Sequence, residues 1–224
     1  MNYTEHSLQG LRYLIRYPSG FQDNRSYPIL VFLHGAGSRG QDMQNLVTNP
    51  FFEEIEKFPD FPFLVVAPLC TENTWFDLWE RLMALVKQTA AQSWADSSRI
   101  CVMGASMGGY GTWQLAMSIP EYCAAMVPIC GGGMFWNAPR LVNIPVWAFH
   151  GGKDPVIPVS ESQKMVDAVN AAGGNAKLTI YPDNDHNAWT DTYSNPEVFS
   201  WLLRHRCAGT AAPEDEYHSV RDHG

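Results

Sequence analysis

No apolar run in these 224 residues approaches the length that a bilayer span needs. Nor is there a basic run: the formal net charge is −8. An acidic chain without basic clusters is a poor partner for nucleic acid or anionic lipid, so neither is expected. The opening stretch MNYTEHSLQGLRYLIRYP lacks a basic start followed by an apolar segment and does not read as a secretory leader. The expected compartment is the cytoplasm; a trimmed leader would leave no trace. The five cysteines (Cys70, Cys101, Cys123, Cys130, Cys207) form no CxxC pair and fit no common zinc spacing. Zinc ligation by these cysteines is therefore not expected. Cys101, Cys123 and Cys130 stand among apolar neighbours and read as buried free thiols, which suits a reducing compartment. Internal repeats are absent as well.

What is present is core material. Hydrophobic residues make up 46% of the chain and charged ones 17%. Near-continuous apolar runs bounded by proline and glycine predict strands at 27–35, 61–68, 99–104, 124–132, 144–151 and 176–182. Runs apolar on both faces suit a parallel sheet covered on two sides. The alternating stretch LRYLIRYP (11–18) predicts an antiparallel edge strand. Helical spacing predicts helices over 78–92, 108–119, 160–174 and 195–206, with Ser160 and Asn195 as caps and Pro196 in a first turn. Strand–helix alternation implies one α/β domain over 1–206 with right-handed crossovers. The polar stretch 207–224 reads as a loosely held extension.

In such sheets chemistry gathers at the carboxyl ends of the strands. After RICVM comes Gly104-Ala105-Ser106-Met107-Gly108, a G-x-S-x-G between a predicted strand and a predicted helix. This pattern lifts a serine hydroxyl off a strained turn, and the helix N-terminus beside it offers free N–H groups. The alternative is a plain N-cap serine. A nucleophilic serine needs a base, and the base needs an orienting acid. His186 follows the last predicted strand and Asp154 follows the fifth. Asp183 and Asp185 rival Asp154 but lie too close to His186 in sequence to orient it easily. The loop His34-Gly35-Ala36-Gly37-Ser38-Arg39-Gly40 ends the first core strand. Its Ala36 N–H, or that of Gly35, would pair with the Met107 N–H as an oxyanion hole. His34 and His150 read as supports for the oxyanion and acid loops.

With these pieces in place the chain resembles the α/β-hydrolase superfamily. It looks most like the small esterases grouped with dienelactone hydrolases, phospholipase/carboxylesterase-type enzymes, and feruloyl or polyhydroxybutyrate-depolymerase-like esterases. FLHGAGSRG, GASMGGYGTW, VPICGGG, IPVWAFHGGKDPVIP and YPDNDHNAW carry the resemblance, from about Tyr27 to Arg206. It implies the α/β-hydrolase fold: a mostly parallel twisted sheet, helices on both faces, no large cap domain. It also implies a triad in the order Ser106, Asp154, His186. Dienelactone hydrolases proper use a cysteine nucleophile, and here Ser106 stands in that place. That favours ordinary ester hydrolysis over lactone opening by a thiolate.

The implied reaction passes an acyl group to Ser106 and then to water, and no metal or organic cofactor is expected. A histidine base must be neutral, so activity should fall below roughly pH 6–7. Aromatics near the strand ends, Trp75 and Trp189 foremost, together with Gly35, are candidates to line the substrate cleft. Few charges stand on those loops, so the expected substrate is a neutral small-molecule ester, either short-chain or aryl, including hydroxycinnamoyl. Thioesterase or peptidase chemistry on the same triad is the nearest alternative. A non-catalytic binding protein on the same fold is the alternative of another class. Nothing in the sequence separates a monomer from a homodimer.

Overall fold

The computed structural model describes residues 3–207. Cys207 apart, the extension read over 207–224 lies outside the described residues. Its N–H donates to the Ser98 carbonyl at 2.8 Å.

Eight strands form one sheet in the order β1-β2-β4-β3-β5-β6-β7-β8. They are β1 (Tyr3–Leu8), β2 (Leu11–Arg16), β3 (Tyr27–Leu33), β4 (Leu64–Pro68), β5 (Ala95–Ala105), β6 (Ala125–Ile129), β7 (Val146–Gly151) and β8 (Ala176–Tyr181). From β4 through β8 every neighbouring pair is parallel. The β1–β2 and β2–β4 pairs are antiparallel. LRYLIR is thus antiparallel as expected, but it is not the edge: β1 covers it. The turn between them holds Gln9 and Gly10 at φ 50° and 82°, the two positive values that a tight hairpin with native twist requires.

The helices are α1 (Gln44–Val47), α2 (Pro50–Ile55), α3 (Trp79–Ala90), α4 (Met107–Ser118), α5 (Ser160–Ala171), α6 (Trp189–Tyr193) and α7 (Pro196–Leu203). Strand residues alternate between two cores, as a pleat dictates. Ile29, Val31 and Leu33 join α3, α4 and α5 on one face. Leu30 and Phe32 join α2, α6 and α7 on the other. Asn195 accepts the Glu197 N–H at 2.9 Å with Pro196 as the first helical residue, so that cap forms as read. The Ser160 cap does not: the Glu161 N–H already bonds the Pro158 carbonyl at 2.9 Å. The helical turn therefore opens before Ser160, and Val159 takes the cap position without a side-chain bond.

Candidate active site

β5 runs into α4 through Ser106, whose φ of 56° is strained for any residue but glycine. Its own N–H is tied to the Ile129 carbonyl at 2.9 Å, so the turn is held from the neighbouring strand. The tightness explains Gly108. A Cβ there would stand 1.8 Å from the Leu33 carbonyl oxygen, closer than any real contact. Strand and helix can meet at this angle only with glycine between them.

β7 delivers Asp154 and the loop after β8 delivers His186. His186 Nδ1 lies 2.7 Å from Asp154 Oδ2, and Nε2 lies 2.9 Å from Ser106 Oγ. A carboxylate only accepts, so Nδ1 carries the proton and Nε2 presents a lone pair to the serine hydroxyl. Asp154 is fixed on both oxygens. Its Oδ1 accepts the N–H groups of Val156 and Ile157 at 2.8 and 2.9 Å. Its side chain is 0% exposed. Burial raises the carboxyl's pKa, but the His186 bond and the two amides outweigh it, and the value lies below the ordinary one. The carboxylate is therefore the stable form. The two loops touch closely at Gly151, where a Cβ would stand 1.9 Å from the Asp185 carbonyl oxygen.

Asp183 and Asp185 are not brought to the base. Asp183 is 87% exposed and pairs with Lys153, and Asp185 accepts the Asn187 N–H. His150 lies beneath the acid loop as read. Its Nε2 is 2.9 Å from the Ile157 carbonyl and 3.3 Å from Asp154 Oδ2, and its Nδ1 is 2.7 Å from Ser162 Oγ.

His34 holds the loop after β3. Its Nε2 accepts the Cys70 N–H at 2.9 Å, so Nδ1 is the protonated nitrogen and donates to the Gly35 carbonyl at 2.7 Å. In a trans peptide C=O and N–H point opposite ways. Pinning the Gly35 carbonyl toward His34 therefore turns the Ala36 N–H away from it. Burial pulls the His34 pKa down to about 4, so the ring is neutral and this pattern persists. Ala36 opens a short 3-10 turn and Met107 opens α4, so both amides head helical segments and lack an intrahelical acceptor. Ala36 and Ser106 line the same cavity, and Met107 follows Ser106 in the chain.

One sequence reading is corrected here. Trp75 is 0% exposed, and its Nε1 donates to the His34 carbonyl at 3.0 Å. It packs on Gly111 in the core and does not line the cleft. The sequence placed it near a strand end but carried no sign of which way the ring turns. Phe76, Phe135 and Trp136 are exposed, Trp136 by 68%. Trp189 and Gly35 do line a cavity of about 560 Å³ beside Ser106 and His186, and Trp189 meets the His186 ring edge-on at 5.3 Å. Ala36, Asn45, Thr48, Asn49, Pro50, Val156 and Tyr193 complete much of the wall. Sequence reasoning missed most of these because α1, α2 and α6 are too short to show a period.

Cys130, Asp154 and His186 offer donor atoms within 4.8 Å of one another, the one such group among the described residues. Burial pushes the Cys130 thiol up to about 12, and the other two members are already bonded to each other. The set fits a hydrogen-bonded relay better than a metal centre. Among the described residues, no helix is long and apolar enough to cross a membrane.

A profile of the Dienelactone hydrolase family matches residues 66–205. A Salmonella typhimurium protein provisionally named carboxymethylenebutenolidase is 30% identical over 110 residues, 45% of this chain and 41% of that protein. Dipeptidyl-peptidase 5 of Porphyromonas gingivalis is 22% identical over 245 residues, 84% of this chain and 35% of that protein. Among solved structures, a thermostable esterase superposes with a TM-score of 0.81 at 30% identity, covering 91% of this chain and 63% of its own. Est1E from Butyrivibrio proteoclasticus superposes at 0.68 with 14% identity over 91% of this chain and 100% of its own, a likeness of fold alone. The chain thus spans about two fifths of the Salmonella protein and under two thirds of the thermostable esterase.

Proposed function

Because this chain belongs to the dienelactone hydrolase family, and is by that membership a hydrolase, we propose that it cleaves uncharged carboxylic esters through an acyl-enzyme on Ser106. The observation that carries this reading is the continuous chain of bonds from Ser106 Oγ through His186 to Asp154, 2.9 and 2.7 Å. His186 Nε2 takes the hydroxyl proton as Ser106 Oγ attacks the ester carbonyl. Asp154 stabilises the imidazolium that forms and keeps the ring in one tautomer. The Ala36 and Met107 amides hold the oxyanion. His186 then returns the proton to the leaving alkoxide, and the acyl-enzyme is released by water activated in the same way.

The strained φ at Ser106 supports this role over a structural one. An ordinary N-cap serine accepts an N–H from its own helix; Ser106 makes no such cap bond. The cavity wall carries no Asp, Glu, Lys or Arg among its described residues, which favours a neutral acyl group, short-chain or aryl. The test is steady-state hydrolysis of p-nitrophenyl esters from acetate to decanoate, beside methyl ferulate. Turnover should depend on Ser106, with Ser106→Ala lowering kcat by roughly 10⁴–10⁶-fold. Near-native turnover by that variant would remove Ser106 from the reaction.

A further inference from the structure

Tyr193 is the buried polar group that the reaction leaves unused. It is 2% exposed, and its ring meets the stacked pair Phe32 and Phe51 edge-on at 5.9 and 5.3 Å. Trp189 and Tyr193 are four residues apart on α6, so one helix face carries both to the cavity. The Tyr193 hydroxyl has no hydrogen-bond partner among the described residues. It is also not one of the fully enclosed unpartnered atoms, which are Trp113 Nε1 and His205 Nε2. The cavity that Tyr193 lines is the space it can reach.

The rest of the polar wall differs. Asn45 donates to the Arg39 carbonyl, Thr48 to the Gln44 carbonyl and Asn49 to Ser38 Oγ. These groups, and Ser38 beside them, stand at least partly in solvent, so water can meet whatever they leave unpaired, whereas Tyr193 is buried. The apolar part of the wall is Ala36, Pro50, Ala105, Val156 and Trp189. A buried phenol without a partner is costly unless something meets it. Water reaching the cavity can meet it, and among such walls a ligand that replaces that water is uncharged, with an apolar body and one oxygen.

We infer that Tyr193 selects the acyl group: the cavity takes uncharged acyl groups that carry an oxygen, a hydroxyl or ether, placed to accept the Tyr193 O–H, in preference to plain hydrocarbon ones. This rests on the reading of Ser106 as nucleophile. The donor–acceptor step is non-covalent, so it acts on binding of the acyl group and leaves the bond changes at Ser106 as described.

The test uses boronic acids, which add reversibly to a nucleophilic serine whatever leaving group the enzyme prefers. Phenylboronic acid and its 3-hydroxy and 4-hydroxy forms compete with a fluorophosphonate for Ser106, in the wild type and in Tyr193→Phe. Fluorophosphonate labelling of each protein, with the thermal midpoint, reports that the site is folded. In the wild type one hydroxylated form should protect Ser106 at roughly tenfold lower concentration than the parent, and Tyr193→Phe should abolish that preference. Labelled Ser106 with the same preference, or none, in both proteins overturns the role of Tyr193 and leaves the serine hydrolase reading standing. Failure of Ser106 to label in the wild type overturns both.

Discussion

At the residue scale, His34 stands outside the proposed triad yet fixes the loop beside Ser106. It joins the Cys70 N–H to the Gly35 carbonyl and so sets where the Ala36 N–H points. His34→Ala leaves the buried Cys70 N–H without its partner, leaves the Gly35 carbonyl to the Ser38 N–H alone at 3.2 Å, and frees the loop proposed to hold the oxyanion. We expect kcat to fall about 10–100-fold with KM changed much less, because the lost interaction matters once charge develops on the oxygen. Equal loss in kcat/KM through KM alone, seen in steady-state kinetics, would mean that His34 shapes binding instead. Ser106, Asp154 and His186 could be singled out in the sequence because each follows a strand, where main-chain topology dictates position, and the fold brings the three within hydrogen-bond reach. Sequence reasoning misplaced Trp75 because the side a ring turns to is decided by packing, here by Gly111 and the His34 carbonyl.

At the scale of elements, the turn from β5 to α4 depends on the absence of a side chain. Gly108→Ala places a methyl 1.8 Å from the Leu33 carbonyl oxygen, and β3, β5 or α4 must shift. Urea unfolding should show a loss of roughly 2–4 kcal/mol, with Ser106 no longer presented to the cavity. An unchanged midpoint would contradict the close approach. The longer elements were legible: α3, α5 and α7 bury apolar stripes, α4 is buried on most sides, and β3, β4, β6, β7 and the second half of β5 are buried almost throughout. β1 was not, because its Thr-Glu-His-Ser centre is exposed and shows no alternation. The sign that remained was the Gln9-Gly10 turn. α2 was missed although Asn49-Pro50 carries the same start signal as Asn195-Pro196, with Asn49 accepting the Phe51 N–H at 3.0 Å. Six residues are too few for a helical period to register.

At the scale of the whole molecule, the two cores hold the strand ends in register, and acid weakens that hold through identified groups. His34 titrates at about 4 when folded against an ordinary value of 6.5, so the unfolded chain takes its proton first. Stability then falls as pH drops from about 6.5 to about 4, by about 3 kcal/mol from this ring. Asp154 is depressed, so its contribution is present above the ordinary carboxylate range and is lost as pH falls through its lower folded value. Chemical unfolding followed across pH should show the first slope in the wild type and a flatter one in His34→Gln. The same slope in both would place the acid sensitivity elsewhere. Above these scales stands one claim, that the loops of β5, β7 and β8 meet to make Ser106 a nucleophile. The direct measurement is fluorophosphonate labelling with the modified peptide mapped by mass spectrometry, in the wild type and in His186→Ala. One adduct on Ser106 in the wild type, formed orders of magnitude more slowly in the variant, is the predicted result. No adduct, or an adduct on Ser106 formed equally fast without His186, would contradict it.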